Sequence, residues 1–331
     1  MFNVVNRREL RKVQETGGTY FISIPKQWAQ RSGVKKGSIV EVVQSSDGRL
    51  VVDPHYGLLQ QNDVSAKITP SPLLEREITG KYLLGHNTIQ IEGTDRLSPE
   101  TFERTRITVR RLIGLEIVEE DAKRIVVQCI LDPSSFPPEK VLRREYLFAS
   151  TMHNDVQTAL IEGNARLATS IIERDDEVDR LYFLIVRLLR AAILNPRLAE
   201  KLGLPLIACL DYRIVASHIE AIADHVASIA DSVRSHSIAS LPSEVLSRVH
   251  GLCRQSALLH EKALRAFFLR DLNLVMDVLT DKNSIVSRLS EVETLLSGRS
   301  PEVIAYASTL VTLLRQICEA TADLADIVMT I

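Results

Sequence analysis

From Leu142 to the end of the chain, apolar residues recur at intervals of three and four. That is the period of helices with one buried face. The pattern predicts helices over roughly 142–172, 176–195, 208–236, 243–280, 284–297 and 301–330. Breaks are expected at Asn195-Pro196, at Leu241-Pro242 and from Gly298 to Pro301. This is three helices, twice, at a spacing too long for a solenoid repeat. In the third helix Val215, Ile219, Ile222, Val226, Ile229 and Val233 form a core stripe.

Before Leu142 the pattern changes to short β-rich runs. Thr19 to Ile24 follows a Gly17-Gly18 turn, and Pro25 opens a short helix over Lys26–Arg31 that Gly33 stops. Ile39 to Val43 and Leu50 to Val52 flank Asp47-Gly48, a hairpin signal. A segment of this size buries little core alone, so a homodimer is expected. Strands at 64–69, 88–92, 115–118 and 124–131 alternate with helices at 73–84 and from Ser98-Pro99, which reads as a small α/β connector. The expected domains are 1–58, 59–141, 142–240 and 241–331.

The chain has 331 residues, 45% hydrophobic and 25% charged, as in ordinary soluble globular proteins. Its longest apolar run, Leu181 to Leu194, is cut by Arg187 and Arg190 and is too short for a bilayer, so no membrane insertion is expected. The N-terminus is polar and basic, without a signal-peptide pattern. Cys129, Cys209, Cys253 and Cys318 are scattered, as buried thiols of a cytoplasmic protein would be. Net charge is uneven. Residues 1–58 hold nine Lys/Arg against five Asp/Glu, and residues 147–331 hold eighteen against twenty-three. A basic head points to an anionic partner, and an acidic body points to cations.

The sharpest feature is a repeated carboxylate pair. Glu220 and Asp224, and again Glu319 and Asp323, stand four residues apart in alanine-rich apolar helices. Such neighbours share a helix face and repel each other unless a cation joins them. Asp175 and Asp179 form a third such pair, expected at the opening of the second helix, where the macrodipole offers an ordinary explanation. Asp176 and Arg180 are expected to pair. Together the second and third helices bring four carboxylates to one bundle. An oxygen-only set suits hard cations such as iron, manganese or magnesium. The bundle has no Glu-x-x-His motif, which argues against a di-iron oxidase.

Two resemblances add to this reading. Arg11-Lys-Val13, Gly18, Phe21 to Lys26, Gly33 to Gly37 and Asp47 to Leu50 resemble the AbrB/SpoVT family of swapped-hairpin DNA-binding domains. The resemblance implies an intertwined β-barrel dimer that contacts duplex DNA. Arg7, Arg8, Arg11, Lys12, Lys26 and Arg31 are the expected contacts, although Ala29 and Gln30 stand where that family often has paired arginines. The helical half resembles the PhoU family, tandem three-helix bundles with Glu/Asp-x-x-x-Asp motifs that bind metal clusters. Asp175, Asp179, Glu220 and Asp224 match both motifs of the first repeat, and Glu319 and Asp323 match one motif of the second. Aligned through Arg288-Leu289, the remaining motif of the second repeat carries Asn283 and Ser287 in place of aspartates, which implies a degenerate second site.

The expected architecture is therefore multidomain: a swapped-hairpin β-barrel, an α/β connector and tandem three-helix bundles. The expected role is a cytoplasmic, non-enzymatic regulator of phosphate uptake that binds DNA and metal. The alternative is an interaction protein whose head only dimerises and whose body restrains a phosphate-transporter ATPase or a signalling partner.

Overall fold

The computed structural model describes residues 9–44, 48–54, 65–237 and 240–330. The chain divides into two compact units, Met1–Asp63 and Val64–Ile331.

The first unit holds β1 (Gln14–Thr16), β2 (Thr19–Phe21), α1 (Lys26–Arg31), β3 (Glu41–Gln44) and β4 (Leu50–Asp53). β1 and β2 pair antiparallel, with Thr16 opposite Thr19. Gly17 and Gly18 both take positive φ in that turn, the conformation a two-residue hairpin needs. β3 and β4 form a second antiparallel pair. None of the described residues of this unit is buried. Leu10, Val13, Tyr20, Phe21, Ile22, Ile24, Ile39, Val42, Leu50 and Val51 are all exposed.

The second unit begins with β5 (Ser65–Ile68), α2 (Leu74–Leu83), β6 (Thr88–Glu92), α3 (Pro99–Arg110), β7 (Leu115–Glu120) and β8 (Arg124–Cys129). The sheet order is β5-β6-β8-β7; β5 and β6 run parallel and the other pairs antiparallel. The expected cap on α3 is present, with Ser98 Oγ accepting from the Thr101 amide at 3.1 Å. Ile89, Ile91, Ile125 and Val127 bury one face of the sheet, and Ile78 and Tyr82 of α2 share that core.

The helical part contains α4 (Pro138–Glu162), α5 (Ala165–Leu194), α6 (Pro196–Lys201), α7 (Ala208–Ser235), α8 (Ser243–Leu269), α9 (Leu272–Thr294) and α10 (Pro301–Asp326). α4, α5 and α7 pack as one three-helix bundle, and α8, α9 and α10 as a second; α7 against α10 and α4 against α8 join them. The stripe from Val215 to Val233 is buried as expected. α10 with the turn after it is long and apolar enough to cross a membrane by length and composition. Here it packs against α7, α8 and α9.

Two helix breaks differ from the periodicity reading. The first helix ends at Gly163, which takes a left-handed φ of 64°, not near residue 172. Asn164 then caps α5 by accepting from the Leu167 amide. The fourth helix ends at Arg270, also left-handed, and Asp271 caps α9. In both places apolar spacing runs on across the break, so the local signal is the glycine or the cap alone. As a consequence Asp175 and Asp179 lie well inside α5. The macrodipole fades within the first turn and does not explain them.

Arg187 fixes the α/β module to the first bundle. It projects from α5, is 3% exposed, and donates to the Tyr82 carbonyl at 2.6 Å and the His86 carbonyl at 3.1 Å. A further bond at 2.9 Å reaches Asn87 Oδ1. A guanidinium at the carbonyl end of α2 complements the negative pole of that helix.

Candidate functional site

α5 and α7 face each other along the first bundle, each carrying its acidic pair beside the apolar stripe rather than opposite it. Asp179, Glu220 and Asp224 each bring a carboxylate oxygen within 4.8 Å of the others. An ion that holds oxygens at about 2.1 Å spans roughly 3 to 4 Å between ligands. Small side-chain rotations would therefore bring three protein oxygens to one ion.

Asp175 adjoins this set without being part of the closest triad. Burial, followed by the charges of Asp224 and Asp179, raises its pKa to about 7. Burial and then Asp224 and Asp179 raise Glu220 to about 7 as well. Burial also raises Asp179, although the guanidinium of Arg111 opposes the shift. These shifts share two causes: burial, the larger, and the crowding of acids with too few cations.

Two participants escaped the sequence reading. Glu145 of α4 is fully buried, and neither of its carboxylate oxygens has a hydrogen-bond partner. Burial raises its pKa well above the ordinary value, and the charge of Glu220 adds to that. A signal existed in the sequence, because Glu145 falls on the apolar stripe of Val141, Leu142, Ala149, Met152 and Val156. Arg111, at the end of α3, lies 2.9 Å from Asp179 and 3.4 Å from Asp176. No local pattern could reveal it, since the partners are 68 residues apart. The expected Asp176–Arg180 pair is replaced: Arg180 turns to Glu177 at 2.7 Å, and Asp176 faces Arg111.

The donor set fits a hard cation. It is oxygen-only, its surroundings favour the protonated forms of Asp179 and Glu220, which a metal would displace, and a buried unpartnered carboxylate stands beside it. His218 and His225 are half-buried on α7, and burial lowers both pKa values.

The second bundle is arranged differently. Glu319 and Asp323 are both exposed, and Lys282 of α9 lies 2.7 Å from Glu319. Among the described residues only Asp179, Glu220 and Asp224 form a close cluster of three acids.

In the head, Arg11 pairs with Glu9, and Lys12, Lys26 and Arg31 are exposed. Arg7 and Arg8 lie outside the described residues.

Comparison with known proteins bears on both ends of the chain. Residues 142–233 match the family model of the PhoU domain. Residues 13–56 match that of "Antidote-toxin recognition MazE, bacterial antitoxin". A comparison with curated proteins found no match. Among solved structures, PhoU from Pseudomonas aeruginosa is similar at 16% identity and a TM-score of 0.52, over 58% of this chain and 93% of that one. The phosphate transport system regulatory protein PhoU from Streptococcus pneumoniae is similar at 17% identity and a TM-score of 0.50, over 58% and 91%. At these identities the likeness shows the fold. The chain thus joins a MazE/AbrB-like antitoxin-type domain at its head to a PhoU domain in its helical half.

Proposed function

We propose that this chain is a cytoplasmic, non-enzymatic regulator of phosphate uptake that dimerises and binds duplex DNA through its head and holds metal in its first bundle. The single observation that carries the reading is the fusion itself: a MazE/AbrB-like head on a PhoU domain that carries a three-carboxylate cluster. Asp179, Glu220 and Asp224 would hold the ion, with Asp175 adjoining. When bound, a hard cation such as iron, manganese or magnesium supplies positive charge to a site whose acids outnumber its cations. The residues of α5 and α7 then act as cross-links between two helices that otherwise repel at this level.

The exposed apolar residues of the head support dimerisation. Ten large apolar side chains without a core in one copy suit burial against a second copy. Lys12, Lys26 and Arg31 are available to phosphates. A gel shift on the DNA upstream of the protein's own gene, with manganese present or chelated, tests the reading. Specific retention supports a transcriptional regulator. A dimer that ignores this DNA but captures a phosphate-transporter ATPase favours the alternative, in which the head only dimerises.

A further inference from the structure

The carboxylate cluster has a cation beside it already. Arg111 contacts Asp179 and Asp176 from outside the bundle, at the junction of α3 and β7 in the α/β module. It is half-exposed and held by no other ion pair among the described residues. Its backbone lies in a turn in which the Arg111 amide reaches the Thr108 carbonyl at 3.1 Å and the Leu112 amide reaches that of Val109 at 3.0 Å. Arg187 lies eight residues further along the same helix α5, about 12 Å by helical rise. It is buried and bonded to the carbonyl end of α2 and to Asn87 of the same module. The module is therefore tied to α5 at two points of different character. One tie is buried and multiply bonded. The other is an exposed ion pair to one of the three carboxylates of the candidate metal site.

We infer that Arg111 is the displaceable resident cation of this cluster: a metal ion taking up Asp179 expels the guanidinium, and the α3–β7 turn loosens while the Arg187 tie holds. The inference rests on the metal-binding reading of the cluster. Like charges a few ångströms apart in a half-buried site repel strongly, so Arg111 and a divalent ion compete for Asp179 instead of sharing it. The metal site thereby gains a threshold set by a residue outside the bundle, and its occupancy is reported to the α/β module. That gives the module a role, as the element that reads the state of the cluster.

The test uses the full-length chain, manganese alone as probe, and the variants Arg111→Gln and Arg111→Lys. Two quantities are read: manganese affinity, and hydrogen exchange of the amides from Arg111 to Leu115. In the wild type, manganese should speed exchange at this turn and leave the end of α2 near Tyr82 unchanged. Arg111→Gln should bind manganese about tenfold tighter, the factor that relief of roughly 1.4 kcal/mol of repulsion produces. Its turn should exchange fast with or without metal. Arg111→Lys keeps the charge and should stay near the wild type in both readouts. Weaker binding by Arg111→Gln would make Arg111 a support that orients Asp179, and would overturn the inference while leaving the metal site standing. So would manganese binding that leaves exchange at the turn unchanged. If neither the wild type nor Arg111→Gln binds manganese, the metal reading itself fails, and the inference with it.

Discussion

Lys282 places its ammonium 2.7 Å from a carboxylate oxygen of Glu319, across the second bundle. In the repeat alignment Lys282 corresponds to Arg174 of the first bundle. Arg174 turns away from the acidic cluster to pair with Asp155 of α4. One bundle thus neutralises its glutamate with its own side chain, and the other leaves Glu220 among acids. Asn283 and Ser287 remove two further carboxylates from the second bundle. The repeats keep the same scaffold and differ in where the positive charge comes from.

Metal content should therefore divide unequally between the bundles. Glu220→Gln with Asp224→Asn should remove most of the bound metal from the full-length protein, and Glu319→Gln with Asp323→Asn should change it little. Elemental analysis of protein purified without chelator reads both. Equal losses would refute the asymmetry.

The acids at the cluster also predict a pH dependence of stability. Asp175 and Glu220 have folded-state pKa values raised to about 7. Their protonated forms favour the fold, so this contribution is present below about pH 4 and is lost as pH rises through about 7. Buried His153 and His260, lowered to about 4 and about 3, run the opposite way in acid, so the whole-protein curve mixes both. A difference between variants separates them. In metal-free protein Glu220→Gln should raise stability by about 1 kcal/mol at about pH 8, after allowance for screening at a half-exposed site, and by little at about pH 5. Metal should reverse the sign at the higher pH. Denaturant titrations at the two pH values measure this, and a pH-independent difference would contradict it.

How much of this was legible in the sequence depends on the range of each interaction. The α7 stripe, the Gly17-Gly18 turn and the Ser98 cap are set by residues within a few positions of one another, and all stand in the structure. The breaks at Gly163 and Arg270 were hidden because the apolar spacing on either side is in phase. The acidic pairs of α5 and α7 were visible as a pattern, but their meeting depends on how the two helices rotate against each other. Glu145 was visible as a charge on an apolar stripe. Arg111 was not visible, since only the packing of the α/β module brings it to Asp179.

Arg187 should matter more for stability than an exposed arginine. Arg187→Met removes three hydrogen bonds from a charged donor and leaves the Tyr82 carbonyl without that partner in a buried setting. A loss of about 2 to 4 kcal/mol is expected, against less than about 1 kcal/mol for Arg234→Met, whose ion pair with Asp231 is exposed. Hydrogen exchange should locate the loss at the end of α2. Similar losses from both variants would show that Arg187 is not a tie between the bundle and the α/β module.

The head makes the last prediction, in which dimer and DNA contact have to be separated. Phe21→Asp with Ile39→Asp puts charge on exposed apolar positions and should yield monomers by light scattering. The single tryptophan, half-buried Trp28, should report the same change in its emission. Changing Arg7, Arg8, Arg11 and Lys12 to alanine leaves those apolar positions intact, so the dimer should persist. Each phosphate contact contributes a slope of roughly −0.9 to the plot of log affinity against log salt. If all four cations of both copies touch phosphate, the variant should lose about 7 from that slope. Glu9→Gln has the opposite sign. It removes an acid from the arm and releases Arg11 from its ion pair, so DNA binding should tighten. A quadruple variant that keeps both its dimer and its salt slope would show that these residues do not touch DNA. The protein-docking reading of the head would then be preferred.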